Sequence, residues 1–325
     1  MISKARGNHL IGNSSAGGNQ MNLHEEEWIL TIAEMKSITR AAEKLFVSPS
    51  ALTQMINKTE QELGTPIFLR SRKGCALTEA GMVYVEGIRS MLQLRRKTYA
   101  IINDMTEIKK TEISIGFPPE HGGHMFASIY PKLQQTFPNL HIRIRETSVR
   151  NQQEMIVNGD LDIGFLTLID SQKTDDEYIP ITTEELLIAL PANAAPSQFS
   201  VSEPGSRFPV LDVSHLNNFP FAQMYSGSTF RAWTDELMEN IGFNPHVIIE
   251  TTRHSTLLRM VGTGLCGCLA TDYHCHRAFS NPNISYFCLP SHPSWQVVAS
   301  YRRGGYLSKP MKLIISLAQD YWRAK

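Results

Sequence analysis

Residues 37–64 read SITRAAEKLFVSPSALTQMINKTEQELG, and the way this stretch divides into helices decides the N-terminal fold. Ser37 and Thr39 each carry a short side-chain oxygen that can cap a helix over the residues that follow, and Ala41 and Ala42 let a neighbouring helix approach closely. Phe46-Val47 makes a short connection. Ser48-Pro49 then opens another helix: a good N-cap, followed by proline at the first helical position, where a missing N–H would be unsatisfied anyway. Leu52, Ile56, Thr59 and Leu63 recur at helical spacing and define an inward face, and Gly64 supplies a left-handed stop. Two short helices joined by so short a turn have helix-turn-helix geometry. The outward face carries Ser48, Pro49, Ser50, Thr53, Gln54, Asn57 and Lys58, the hydroxyl, amide and ammonium groups that reach base edges and phosphates in a major groove. A solvated helix face has the same composition, so the flanking segments must decide.

Upstream, Trp28, Ile29 and Ile32 line a helix beginning near Asn22. Downstream, Pro66 to Thr78 reads as two short strands around a basic turn, a wing whose Arg70, Arg72 and Lys73 would follow the phosphate backbone. The formal charge of the chain is zero, but Lys36 to Thr78 holds seven basic and three acidic residues, whereas Thr111 to Lys325 holds 16 basic and 20 acidic ones. A basic head on an acidic body fits a phosphate-contacting module.

Taken together, Arg40-Ala41-Ala42-Glu43-Lys44-Leu45, Ser48 to Ile56, Glu60 to Gly64, Phe68-Leu69-Arg70 and Leu77 to Gly81 resemble the DNA-binding segment of LysR-type transcription regulators over about 60 residues. That resemblance implies a winged helix-turn-helix in which Arg40 joins the residues above in contacting double-stranded DNA at an interrupted inverted repeat. It also implies a homodimer or tetramer, a small-molecule effector, and contact with RNA polymerase. Three positions depart from the family pattern: Pro49 where Gln is common, Gln54 where Arg is common, and Thr59 where an apolar Leu is usual. Gln54 would favour adenine through its amide, where Arg favours guanine.

Thr78 to about Ile108 reads as one long helix with two apolar stripes, Val85, Ile88, Leu92, Tyr99 and Ile102, and Met91, Leu94, Ile101, Met105 and Ile108. Its own domain is too small to cover it, so residues 79–110 are expected to be a dimerising linker with a hinge at Lys109-Lys110-Thr111. A helix packed on its own chain is the competing reading.

From residue 111 strands alternate with helices, which points to parallel sheets with right-handed crossovers. The body resembles the α/β two-lobed fold of periplasmic solute-binding proteins. It is expected to form lobe I from residues 111–190 and 291–325 and lobe II from 191–290. Ligands in such folds sit beyond the carboxyl ends of strands, often at helix N-termini. That rule nominates Pro119, Glu120 and His121, then Thr167, then Tyr225, Ser226, Gly227, Ser228 and Thr229. The resemblance suggests an organic acid as effector, whereas Glu120 and His121 would suit a cationic or hydrogen-bond-donating one.

The N-terminal 1–20 segment, rich in Gly, Asn and Ser, is expected to be disordered, with the DNA-binding domain at 21–78. No signal peptide or membrane-length apolar run is visible, which places the chain in the cytoplasm with no membrane partner. Five cysteines without an export signal argue against a disulfide scaffold. Cys266, Cys268, His274, Cys275 and His276 lie close in sequence but lack zinc-site spacing, so no metal and no cofactor are assigned. No nucleophile elbow, phosphate-binding glycine loop or zinc-hydrolase motif occurs, so no catalytic residues are assigned and the chain is read as a regulator rather than an enzyme. Two alternatives stay open: a two-lobed binding protein or enzyme without a DNA role, and a redox- or metal-sensing regulator.

Overall fold

A computed structural model describes residues 23–71, 74–106, 112–275 and 281–323, and the chain divides after Leu92 into two compact units. The first unit contains helices α1 (Leu23–Met35), α2 (Ile38–Leu45) and α3 (Pro49–Leu63), and strands β1 (Phe68–Ser71) and β2 (Gly74–Leu77), which pair antiparallel. It also holds the start of α4 (Glu79–Thr106). Ser37 caps α2, its Oγ accepting the Arg40 amide, and Phe46 closes the helix in the left-handed region at φ 56°. Ser48 caps α3 by accepting the Ala51 amide at 3.1 Å, Pro49 opens it, and Gly64 ends it at φ +69°. Leu52, Met55 and Ile56 of α3 pack with Ile29, Ile32, Ala41, Ala42, Val85 and Ile88 in one core. Met55 is buried there, whereas Leu63 is exposed at the end of α3 and does not belong to the inward face. Thr59 is buried, and its hydroxyl donates back to the Met55 carbonyl at 3.1 Å, which satisfies a polar group in this core. The α4 backbone crosses close to the wing, because a Cβ at Gly81 would collide with the Ile67 carbonyl.

Helix α4 is continuous over 28 residues, but its stripes divide. Val85, Ile88 and Leu92 are buried in the core of the first unit and are therefore not free for a partner chain. Leu94, Tyr99, Ile102 and Met105 are exposed. Ile108 and the expected hinge lie outside the described residues, as do residues 1–22.

The second unit, Gln93–Lys325, is the α/β body. Its elements are β3 (Glu112–Phe117), α5 (Gly123–Thr136), β4 (His141–Glu146), α6 (Val149–Asn158), β5 (Ile163–Leu168) and β6 (Glu177–Pro191). They continue with β7 (Pro220–Met224), α7 (Thr229–Asn240), β8 (His246–Thr251), α8 (His254–Gly262), β9 (Gly267–Thr271), β10 (Ile284–Cys288), β11 (Ser294–Tyr301) and α9 (Lys309–Arg323). The strand order is β4-β3-β5-β11-β6-β9-β7-β8, with β10 on β6. β3 pairs parallel with β4 and β5, and β7 pairs parallel with β8 and β9, as helical crossovers require. β6, β10 and β11 pair antiparallel, so the sheet is mixed rather than wholly parallel. The reason is the connectivity: β6 runs from one lobe into the other and β11 returns beside it. The first half of β6 lies against β11 and the second half against β9 and β10. Ile115, Phe117, Ile129, Phe165 and Ile314 centre the core of the first lobe, and Ile188, Phe221, Trp233, Leu257 and Cys268 centre that of the second. No helix among the described residues is long and apolar enough to cross a membrane.

Candidate DNA-reading face and effector pocket

On α3, Ser48, Pro49, Ser50, Gln54, Asn57 and Lys58 are exposed and Thr53 is half-buried. Several of these groups are already engaged. Ser48 Oγ serves as cap and lies 2.9 Å from Ser50 Oγ, and the Thr53 hydroxyl donates to the Pro49 carbonyl at 2.9 Å. Lys58 Nζ stands 3.5 Å from Glu25. Gln54 has no partner among the described residues, which leaves its amide available for a base edge. Arg40 is exposed, and its guanidinium donates to the Met35 carbonyl at 2.9 Å.

Arg70 is engaged within the head. Its Nη2 turns back to α3, donating to Asn57 Oδ1 at 2.7 Å and to Glu60 Oε2 at 3.3 Å. The other oxygen of Glu60 accepts the amides of Ile67 and Phe68 at 2.8 and 3.0 Å. Glu60 therefore fastens the wing to α3, and Arg70 neutralises the carboxylate that does so. Arg72 and Lys73 lie outside the described residues.

In the body, Pro119 is exposed on the β3–α5 turn and Glu120 follows at φ 62°. A non-glycine residue in this region is strained, and such strain persists where surroundings over-determine it. The Glu120 carboxylate accepts from Ser255 N at 3.0 Å, Ser255 Oγ at 2.5 Å and Arg253 Nη1 at 3.4 Å. The chain's own carboxylate thus sits at the N-terminus of α8, where free amides and the helix dipole favour an anion. Burial would raise the Glu120 carboxyl, but the hydrogen bonds from Ser255 and Arg253 outweigh it and hold the group below the usual carboxylate range.

Beside this contact opens a pocket of about 400 Å³ lined by Glu120, Gly123, His124, Glu146, Ser255, Leu258 and His274. Behind it is a buried polar cluster around Glu184, which is 0% exposed. His121 Nε2 lies 2.8 Å from Glu184 Oε1, while Trp295 Nε1 and Thr271 Oγ1 donate to Oε2 at 3.0 and 3.1 Å. Thr271 Oγ1 is also 2.9 Å from His274 Nδ1. Because the Thr271 hydroxyl donates to Glu184, Nδ1 of His274 must carry the proton and Nε2 is left as a bare acceptor. That Nε2 is buried without a partner. His254 stacks on His274 with ring centroids 4.0 Å apart. Burial pushes the His254 imidazole down to about 4, reinforced by the His121 charge, and holds His274 well below its usual value.

The other nominated loops take different places. Thr167 lies within β5, which continues to Leu168, and it is buried opposite Val297 rather than beyond the strand's carboxyl end. Tyr225 to Thr229 form the turn into α7, with Ser228 capping it by accepting the Arg231 amide at 3.0 Å. Gln172 reaches that turn from the first lobe and donates to the Thr229 carbonyl at 3.0 Å. Neither Thr167 nor Tyr225 to Thr229 lines the 400 Å³ pocket. His124 stands three residues after His121, a spacing that suits a cleft-lining residue, and it does line the pocket, whereas Glu146, Glu184 and His254 carried no sequence signal and gain a role only where strands bring them together. Cys266 and Cys268 are buried in the second lobe, Cys275 Sγ donates to the Thr271 carbonyl, and His276 lies outside the described residues.

Comparison with known proteins agrees with this two-part organisation. Residues 23–82 match the profile of bacterial regulatory helix-turn-helix proteins of the lysR family, and residues 108–323 match the LysR substrate binding domain. The chain belongs to the LysR family: it is a DNA-binding transcription regulator with an effector-binding domain. The HTH-type transcriptional regulator YcgK of Bacillus subtilis is 25% identical over 312 residues, covering 92% of this chain and 94% of YcgK. A hydrogen peroxide-inducible genes activator of Haemophilus influenzae is 23% identical over 301 residues, covering 92% of this chain and 97% of that protein. The full-length OxyR of Pseudomonas aeruginosa shares the fold at a TM-score of 0.65 and 22% identity, covering 94% and 96% of the two chains.

Proposed function

We propose that this regulator responds to a small amine or another cationic hydrogen-bond donor held in the pocket beside α8. The observation that carries this is the chemistry of the lining. Glu120 and Glu146 supply carboxylates, and neither lysine nor arginine joins them in the lining. Glu120 already fills the α8 N-terminus, which is the place an organic acid would need. The lining therefore favours an amine over the organic acid that the family resemblance suggests.

On this reading the chain acts as a homodimer or tetramer on an interrupted inverted repeat, with two α3 helices in successive major grooves. Effector binding biases a pre-existing equilibrium between two oligomer arrangements and so alters contact with RNA polymerase. It works with the chromosome in the cytoplasm and carries out no reaction. The names of some relatives raise peroxide sensing as a second reading. Peroxide chemistry needs an accessible thiolate. Here all five cysteines are buried, and burial raises each thiol. The cysteines thus speak for a ligand-driven regulator.

Calorimetric titration of the full-length protein with small amines and, in parallel, small carboxylates tests the effector class. Amines are expected to bind, with Glu146→Gln weakening them by roughly tenfold or more, the value of a charge-assisted hydrogen bond. Binding of carboxylates alone, unaffected by Glu146→Gln, would overturn the proposal.

A further inference from the structure

Glu185, Cys288 and His292 come from three separate segments: β6 near its midpoint, the last residue of β10, and the turn leading into β11. One ligand atom from each lies within 4.8 Å of the other two. Among the described residues no other group of His, Cys, Asp and Glu gathers this closely. We propose that these three side chains form a binding site for a divalent cation of the zinc type.

The donor set is one thiol, one imidazole and one carboxylate, a mixture that suits zinc in tetrahedral coordination and suits calcium or magnesium poorly. His292 Nδ1 lies 2.6 Å from Glu185 Oε1, so the two already share a proton at the position where a cation would bridge them. The cation takes the place of that proton and of the Cys288 thiol proton, and both protons pass to solvent. The surroundings are those of a supported site. Nε2 of His292 lies 3.4 Å from Glu203 Oε2, a carboxylate that fixes the ring so that Nδ1 faces the site. The Ser206 hydroxyl donates to Cys288 Sγ at 3.3 Å. His292 holds φ 45°, an unfavourable region for a side-chain-bearing residue, which fits a ring placed for a purpose beyond turn formation. Cys288 is buried, while the side chains of Glu185 and His292 are 30% and 35% exposed, so a fourth position opens towards solvent.

The location gives the site a consequence. Glu185 directly follows Glu184, the anchor of the buried cluster, and pairs in register with Ser294 at the start of β11. A cation here joins the outgoing strand between the lobes to the returning turn, so its occupancy favours one interlobe arrangement. This site is separate from the amine pocket and does not depend on it.

The test is cobalt(II) titration of the reduced, chelator-treated full-length protein. One equivalent per chain is expected to give a thiolate-to-cobalt charge-transfer band and tetrahedral ligand-field bands, both displaced by zinc. Cys288→Ser should abolish the charge-transfer band. His292→Ala should weaken binding at least tenfold, and Glu203→Gln by about tenfold or more. Should Cys288→Ser fail to fold by circular dichroism, His292→Ala and Glu185→Gln, on half-exposed positions, decide the matter. Absence of the band in folded wild-type protein, or its survival at full affinity in His292→Ala, would overturn the site.

Discussion

Gln54 is the side chain on the reading face whose polar atoms are uncommitted among the described residues, and this separates it from neighbours that cap, back-bond or pair within the head. A side-chain amide can pair with adenine at N6 and N7, which is worth about 1–3 kcal/mol against a wrong base. Gln54→Ala is expected to weaken a specific site by about that amount and to relax one base position. Titration against upstream intergenic fragments and randomised DNA checks this; an equal loss on both would move the reading function elsewhere. Arg70 shows the converse case. Its guanidinium is engaged at α3 by the Glu60 carboxylate, which the amides of Ile67 and Phe68 place. Glu120 is similar in kind, an acidic residue in a sequence-nominated ligand loop that the fold uses to fill a helix N-terminus.

At the scale of the element, α4 changes role along its length. Its first part contributes Val85, Ile88 and Leu92 to the head core, whereas Leu94, Tyr99, Ile102 and Met105 remain exposed on its second part. A row of large apolar side chains facing water is the surface that a second copy of the helix would cover. Burying one such side chain is worth about 1.5–3 kcal/mol. Leu94→Glu combined with Met105→Glu is therefore expected to raise the oligomer dissociation constant at least tenfold while leaving circular dichroism unchanged. Sedimentation equilibrium measures it, and an unaltered oligomer would mean that another surface joins the chains.

For the whole molecule, the histidines between the lobes make acid stability predictable. His254 is buried and neutral in the folded state, titrating at about 4 instead of its ordinary 6.5, and His274 shifts in the same direction. Below pH 6.5 the unfolded chain takes up protons that the folded one refuses, so stability present above that pH is lost as pH falls towards 4. The loss from His254 is on the order of 3 kcal/mol over this window. Glu120, held below its usual range, adds to the loss at the lower end, because its hydrogen bonds need the carboxylate. The thermal midpoint is expected to drop between pH 7 and pH 5, and His254→Phe should flatten the dependence. A midpoint independent of pH in the wild-type protein would show that these imidazoles are not buried neutral.

Local chemistry was enough to read the head. Ser37, Ser48, Pro49 and Gly64 act within a few residues of themselves, so caps and stops carry the same meaning in the sequence as in the fold. The alternation of strands and helices in the body was legible for the same reason, as was the single helix of α4. What tertiary structure decided was every relation between distant segments. The antiparallel strands β6, β10 and β11 depend on where the chain returns, which periodicity does not encode. Thr167 belongs to a strand interior rather than to a loop because β5 continues to Leu168 beside β11. The cluster around Glu184 draws on residues as far apart as His121 and Trp295, and the proposed cation site draws on Glu185, Cys288 and His292. Isolated histidines and acids have no pattern along the chain, and they become chemistry only when a sheet shared by two lobes sets them side by side.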